Sequence, residues 1–333
     1  MRIVITGASG FVGRLLAAAL LRARTFDGEP VSRLVLVDRV EAPDVARAGD
    51  ALVELVHGDL IESLGVVFAE PVDVLFHLAA AVSAECETDF DLGMRANVDT
   101  TRAVLEAARA QAVAGGPRVR VLFAGSIAVH GGDPQLPLPP VVSESTLPVP
   151  RSSYGTQKLV CEHLIADYTR RGFLDGRVAR LMTVVVRAGR PNAAASGFLS
   201  GIIREPLAGL PATCPVDPAL RVALSSPRRT VQGILRIAEV PRGTGPGRLD
   251  GHLPVLLPAL TVSVADMIDT LRQVAGDRAA DLVSIAPDPA VEAIVGSWPA
   301  VFDNRRAEAF GLLPDPNFLS VVEEYVADHA GGR

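Results

Sequence analysis

The chain opens 1-MRIVITGASGFVG-13, a strand-like run over 2–6 that leads straight into three glycines at three-residue intervals, Gly7, Gly10 and Gly13. The following FVGRLLAAALL is apolar at Phe11, Val12, Leu15, Leu16 and Ala19, a spacing that predicts a helix. Strand, glycine turn and helix in that order make a cradle for phosphate. Gly7 permits the sharp turn, Gly10 lets backbone N–H groups approach a pyrophosphate, and Gly13 allows helix to lie close on strand. The helix N-terminus adds N–H groups and a partial positive charge.

The pattern repeats outward from that turn. RLVLVD (33–38), LVELVHGD (52–59), DVLFHLAA (73–80) and VRVLFAGS (119–126) read as strands, with a helix over about 89–112. These are continuous apolar runs, as expected of parallel strands covered on both faces. The expected fold is α/β, a doubly wound parallel-sheet Rossmann domain. After RVARLMTVVVR (177–187) the texture changes to Gly, Pro and Ser over 189–228. This predicts a boundary near 188, with residues 189–333 forming mainly a smaller α/β substrate lobe, some of whose segments return to the first domain.

Asp38 ends the second strand and is placed to accept hydrogen bonds from an adenosine ribose. Its charge repels a 2′-phosphate, which favours NAD over NADP, while Arg39 beside it weighs the other way; a plain strand-end turn residue is the blander alternative. The net charge of −6 argues against nucleic acid, which needs a basic surface. Three scattered cysteines, Cys86, Cys161 and Cys214, support neither a disulfide framework nor a zinc site, and point to a reduced, cytoplasmic setting. No apolar run approaches the roughly 18 residues of a membrane span. A strand starting at Arg2 leaves no targeting peptide to read.

Further on, in PRSSYGTQKLVCEHLIADY, Tyr154 and Lys158 are four apart and share one helix face. Ser126 ends the preceding strand, where parallel sheets carry their functional loops. A tyrosine hydroxyl is a poor base at neutral pH; the Lys158 ammonium and a positive nicotinamide ring would favour the phenolate. Ser126 would then hold a substrate oxygen while Tyr154 takes its proton.

TGASGFVG (6–13), HGDL (57–60), FHLAA (76–80), NVDTT (97–101), GSIAVHG (125–131) and SSYGTQK (152–158) together resemble the extended short-chain dehydrogenase/reductases, over about the first 190 residues. The resemblance implies an NAD site made by Gly7, Ser9, Gly10, Phe11, Val12, Gly13 and Asp38. It also implies that Asp59 and Leu60 meet the adenine and that Leu78, Ala79 and Ala80 line the cofactor. Asn97 takes a structural place in the active site, with Ser126, Tyr154 and Lys158 catalytic and Lys158 also on the nicotinamide ribose. A homodimer through the helices carrying Asn97 and Tyr154 is implied too.

The family contains both sugar-nucleotide epimerases and simple dehydrogenases. Here His130 stands where the epimerases carry the tyrosine of a VYG-like run, and SSPRRTV (225–231) replaces an HVDD-like segment. Arg187, Arg228 and Arg229 thus gather in the cleft-forming half, and guanidinium is the natural partner of a carboxylate. A small anionic sugar acid held by Arg187 or Arg228 is therefore expected, against the alternative that these arginines are solvated or brace the lobe. The stretch 187–209 further resembles a subgroup, the D-erythronate dehydrogenases. This implies oxidation of C2 of a four-carbon aldonate, with Ser83, Asn192 and Ser196 bonding substrate hydroxyls unless they merely satisfy their own loops. No metal is needed. The rival readings are an NDP-sugar 4-epimerase and a non-catalytic NAD(P) sensor; the full Ser126, Tyr154 and Lys158 set speaks against the second.

Overall fold

The computed structural model describes residues 1–40, 50–189 and 194–329. In chain order the first part contains β1 (Arg2–Thr6), α1 (Phe11–Ala23), β2 (Arg33–Asp38), β3 (Val53–His57), α2 (Leu60–Val67) and β4 (Val74–His77). It continues with α3 (Thr100–Val113), β5 (Arg120–Ser126), α4 (Ser153–Arg170) and β6 (Asp175–Leu181). Beyond these come β7 (Thr183–Val184), α5 (Gly197–Leu207), β8 (Arg221–Ser225), α6 (Pro227–Glu239) and β9 (Val255–Leu256). The chain closes with β10 (Leu260–Ser263), α7 (Val264–Ala275) and α8 (Phe318–His329).

The central sheet has seven strands in the order β3-β2-β1-β4-β5-β6-β9, all parallel. It is a Rossmann sheet, and the order reverses between β1 and β4, where such sheets open a crevice for a ligand. The alternating pleat explains the unbroken apolar runs. Ile3 and Ile5 of β1 join Leu34, Phe76 and Leu122 under α1 and α6, whereas Val4 faces the other way with Val35, Leu75, Val121 and Phe123 under α3 and α4. With both faces covered, every residue of β1 is buried; the apolar run covers Ile3, Val4 and Ile5, and the buried polar ends are paired, Arg2 with the Val67 carbonyl and Thr6 with His77.

A second core lies around the short sheet β7-β8-β10, in which β8 pairs parallel with β7 and antiparallel with β10. Leu199, Ile202 and Ile203 of α5, Met267 and Leu271 of α7, and Val321 and Val322 of α8 fill it. Ser263 and Asp266 form a capping box that starts α7. Two segments from this stretch of chain return to the central sheet: α6 covers it with Val231, Ile234 and Ile237, and β9 pairs with β6 as its edge strand. Among the described residues no helix is long and apolar enough to cross a membrane.

Candidate active site

One cavity is lined by the glycine turn, by Ser126, Tyr154 and Lys158, and by Arg187, Ser196 and Trp298 from later in the chain. Its geometry starts at the turn. Gly7 has φ +71°, and its N–H donates to the Val37 carbonyl at 3.0 Å, joining the turn to the end of β2. A Cβ at Gly7 would stand 2.6 Å from the Ala79 nitrogen, and one at Gly13 would stand 2.1 Å from the Gly7 oxygen. Only glycine lets α1 start this close to the turn. Gly10 caps α1 with no side-chain hydrogen bond, so the first-turn N–H groups remain for an anion. This uncapped, glycine-walled cradle fits the pyrophosphate of a dinucleotide.

Of the expected cofactor residues, Gly7, Gly10, Phe11, Val12, Gly13, Leu78 and Ala80 line the cavity with Tyr154 and Lys158. Ser9, Asp38, Asp59, Leu60 and Ala79 do not. Asp38 accepts the Ser9 N–H at 2.9 Å and the Val40 N–H at 3.1 Å, and so ties the turn to β2. Ser9 donates its hydroxyl to the Val40 carbonyl. Asp59 caps α2 by accepting the Ile61 N–H at 2.9 Å, and Leu60 is buried beside it. The Ala79 N–H donates to Thr6 Oγ1 at 3.3 Å.

The catalytic candidates meet where β5 ends and α4 begins. Ser126 closes β5, and its Oγ accepts the Ala128 N–H at 3.1 Å. Ser152 caps α4 through the Gly155 N–H at 3.1 Å, and a Cβ on Gly155 would lie 2.1 Å from the Ala128 oxygen. The first turn of α4, with Tyr154, is therefore pressed against the loop following Ser126. One turn on, the buried Lys158 ammonium donates to the Ala124 carbonyl at 2.9 Å and sits 4.5 Å from the centre of the Phe123 ring. It is also 5.6 Å from the centre of the Tyr154 ring. A further turn on, Glu162 forms a two-pronged ion pair with Arg180 of β6, at 3.1 and 2.7 Å, with both side chains 3% exposed. Burial pushes the Glu162 carboxyl up, and Arg180 opposes that shift. Gly125 makes room, since a Cβ there would be 2.7 Å from Glu162 Oε1.

His130 is fully buried and accepts from Arg180 Nη1 at 3.0 Å. Because guanidinium can only donate, the His130 proton is on Nδ1. Burial, helped by the Arg180 charge, lowers its pKa to about 3, so it is a neutral packing residue that does not line the cavity.

Two buried groups brace the site from behind. Asn97 lies in a π-helical segment, Met94–Asp99, an irregularity often found at functional sites. Its Oδ1 accepts the Ala81 N–H at 2.8 Å and its Nδ2 donates to Gln157 Oε1 at 2.7 Å. Asn97 thus joins the segment after β4 to α4, and its side chain does not line the cavity. His77 forms a one-way chain that sequence reasoning missed. Thr101 donates to the Asn97 carbonyl at 2.6 Å, so His77 Nε2 must donate to Thr101 Oγ1 at 3.0 Å, and Nδ1 must accept from Thr6 Oγ1 at 2.7 Å. Burial, with a smaller push from Lys158, lowers the His77 pKa to about 3 and keeps the ring neutral.

On the substrate side the expectations divide. Arg187 lines the cavity, with Ser196 Oγ 3.5 Å from its Nη2. Partial burial, then the Arg204 cation, hold the Arg187 guanidinium below its ordinary pKa, and the Tyr154 phenolate would counter this. Ser196 and Ser83 also line the cavity, and Ser83 Oγ accepts the Ala195 N–H at 3.0 Å. Asn192 lies outside the described residues. Arg228 is a correction: it pairs with Glu324 of α8 at 2.8 Å, is 57% exposed and does not line the cavity. The reason is local. Ser226 caps a helix through the Arg229 N–H at 3.2 Å and Pro227 opens it, so SSPRR begins α6 instead of lining the cleft. Met182, Thr183 and Trp298 also line the cavity and were not anticipated.

The model of the NAD dependent epimerase/dehydratase family matches residues 3–219. The chain belongs to that family. It is an NAD-dependent enzyme, and NAD is the dinucleotide for which the cradle is built. It is 47% identical to the D-erythronate dehydrogenase of Cupriavidus necator over 98% of each chain. It is 39% identical to that of Haemophilus influenzae, over 98% of this chain and 99% of the relative. A solved structure described as the nucleoside-diphosphate-sugar epimerase from Agrobacterium tumefaciens superposes with a TM-score of 0.90, at 38% identity, covering 100% of this chain and 95% of that one.

Proposed function

We propose that the protein oxidises the C2 hydroxyl of a small sugar acid, D-erythronate, to the 2-oxo acid, with NAD as acceptor. The observation that carries this reading is Arg187 in the cavity of Ser126, Tyr154 and Lys158. A 2-hydroxy acid carries its carboxylate on the carbon next to the reacting one, so cation and base must share a site. An anion there would also relieve the repulsion between Arg187 and Arg204.

In this reading Arg187 binds the carboxylate, and Ser83 and Ser196 bond the further hydroxyls. Ser126 hydrogen-bonds the C2 hydroxyl, and Tyr154 removes its proton, with the Lys158 ammonium 5.6 Å from the centre of the tyrosine ring. Asn97 is a positioning residue that fixes α4. Gly7, Gly10, Phe11, Val12 and Gly13 would hold the pyrophosphate, Asp38 the adenosine ribose, and Leu78 and Ala80 the rest of the cofactor. The chemistry NAD supplies when bound is acceptance of the C2 hydrogen as hydride. Residues 1–188 hold the cofactor and most of the remainder closes over the substrate. A cytoplasmic homodimer completes the proposal; exposed Val160 of α4 and Phe90 next to it support the interface, which light scattering after size exclusion tests.

The test is NADH formation with purified protein, NAD and a panel of four- to six-carbon aldonates. NADH with D-erythronate is expected; none with any sugar acid rejects the reading. The Agrobacterium likeness favours one second reading, an NDP-sugar 4-epimerase, which would retain NAD through purification, convert an NDP-sugar and release no net NADH.

A further inference from the structure

We propose that Trp298 is the wall that sets the carbon-chain length of the substrate. This rests on the sugar-acid reading. From residue 187 onward the described cavity is lined by Arg187, Ala194, Ser196 and Trp298. If Arg187 holds the carboxylate while Ser126 and Tyr154 hold the adjacent C2, the two ends of that bond are fixed. Each further carbon must then extend toward what remains of the lining. Ala194 and Ser196 are small, whereas Trp298 carries the bulkiest side chain there is.

The backbone around Trp298 is tied down from several directions, so the indole is a wall a longer substrate cannot push aside. The Trp298 N–H donates to the Val295 carbonyl at 3.2 Å, and its side chain is partly buried against the lobe core. Thr261 Oγ1 of β10 donates to the Ala300 carbonyl at 2.5 Å. Val142, from the first half, donates to the Val301 carbonyl at 3.0 Å and accepts the Asp303 N–H at 2.8 Å. An aromatic ring on a pinned loop discriminates by shape, and one extra methylene-sized group against such a wall is worth about 10- to 200-fold in kcat/KM.

Trp298 is the only tryptophan in the chain, so its emission reports on this wall alone. The experiment compares wild type, Trp298→Ala and Trp298→Phe with NAD and four-, five- and six-carbon aldonates, alongside tryptophan emission of NAD-loaded Tyr154→Phe, which forms little NADH, as aldonate is added. The five- to four-carbon ratio of kcat/KM is expected to rise at least about 10-fold in Trp298→Ala and less in Trp298→Phe, which preserves more of the packing. Emission of the Tyr154→Phe protein is expected to change saturably with D-erythronate. An unchanged ratio in a folded variant, or unchanged emission at saturating D-erythronate, overturns the assignment while leaving the proposed function standing. A wild type inert towards all aldonates overturns the function, and Trp298 as a chain-length wall with it.

Discussion

Between Gly7 and Lys158, the walls of the cavity are held mainly by partners in the first half of the chain. Gly7 bonds Val37, Asn97 joins Ala81 to Gln157, and Lys158 bonds Ala124. From Arg187 onward the lining comes from short, separate pieces. Ser196 lies close to Arg187, Ser83 of the first half bonds Ala195, and Trp298 stands on a loop held by Val142 and Thr261. The first arrangement makes a rigid apparatus for a fixed cofactor. The second depends on a few side chains whose replacement changes the substrate without touching the apparatus.

Four measurements would break or sharpen that contrast. The largest effect is expected from Tyr154→Phe, which removes the base and should lower kcat by about 10²- to 10⁴-fold, with NAD affinity kept in a fluorescence titration. Arg187→Ala should act on the other region, raising KM for D-erythronate by about 10- to 100-fold with a smaller change in kcat. An unchanged KM would remove Arg187 from the substrate site. Next comes acid. His77 and His130 titrate near 6.5 in an unfolded chain and at about 3 in the fold, so the unfolded chain binds more protons between those values. The stability they protect is complete above pH 6.5 and is lost as pH falls towards 3. By pH 5 each should have cost about 2 kcal/mol, measurable by urea unfolding at pH 7 and pH 5. His77→Gln should flatten that dependence. The smallest effect is Arg228→Ala: an exposed ion pair is worth about 0–1 kcal/mol, and KM should not move.

The same contrast explains what could be read from the sequence. The glycine turn, the strand ends and the Tyr154–Lys158 spacing are local signals, and the fold they imply is the one found. Arg187 was legible as a cation near the cleft. Arg228 was expected at the cleft because SSPRRTV stands in place of an HVDD-like segment, whereas Ser226 and Pro227 are helix-start signals. The capping reading would have placed Arg228 on the first turn of α6. Trp298 carried no local signal, since the loop that brings it to the cavity is held at Ala300, Val301 and Asp303 by Thr261 and Val142, distant in the chain. His77 was visible only as a polar residue in an apolar run; the donor logic that fixes its role needed Thr6 and Thr101 in place.

The edge strand β9 has a consequence for synthesis. Its partner β6 leaves the ribosome about 74 residues earlier (Leu181 against Val255), so the nascent sheet must wait with an unpaired edge and without α6 over Ile3 and Phe76. A chain stopped at residue 188 would keep that edge bare and be prone to pair with its neighbours. Completion of the central sheet is therefore set late in translation, by two residues, Val255 and Leu256, that do not line the cavity.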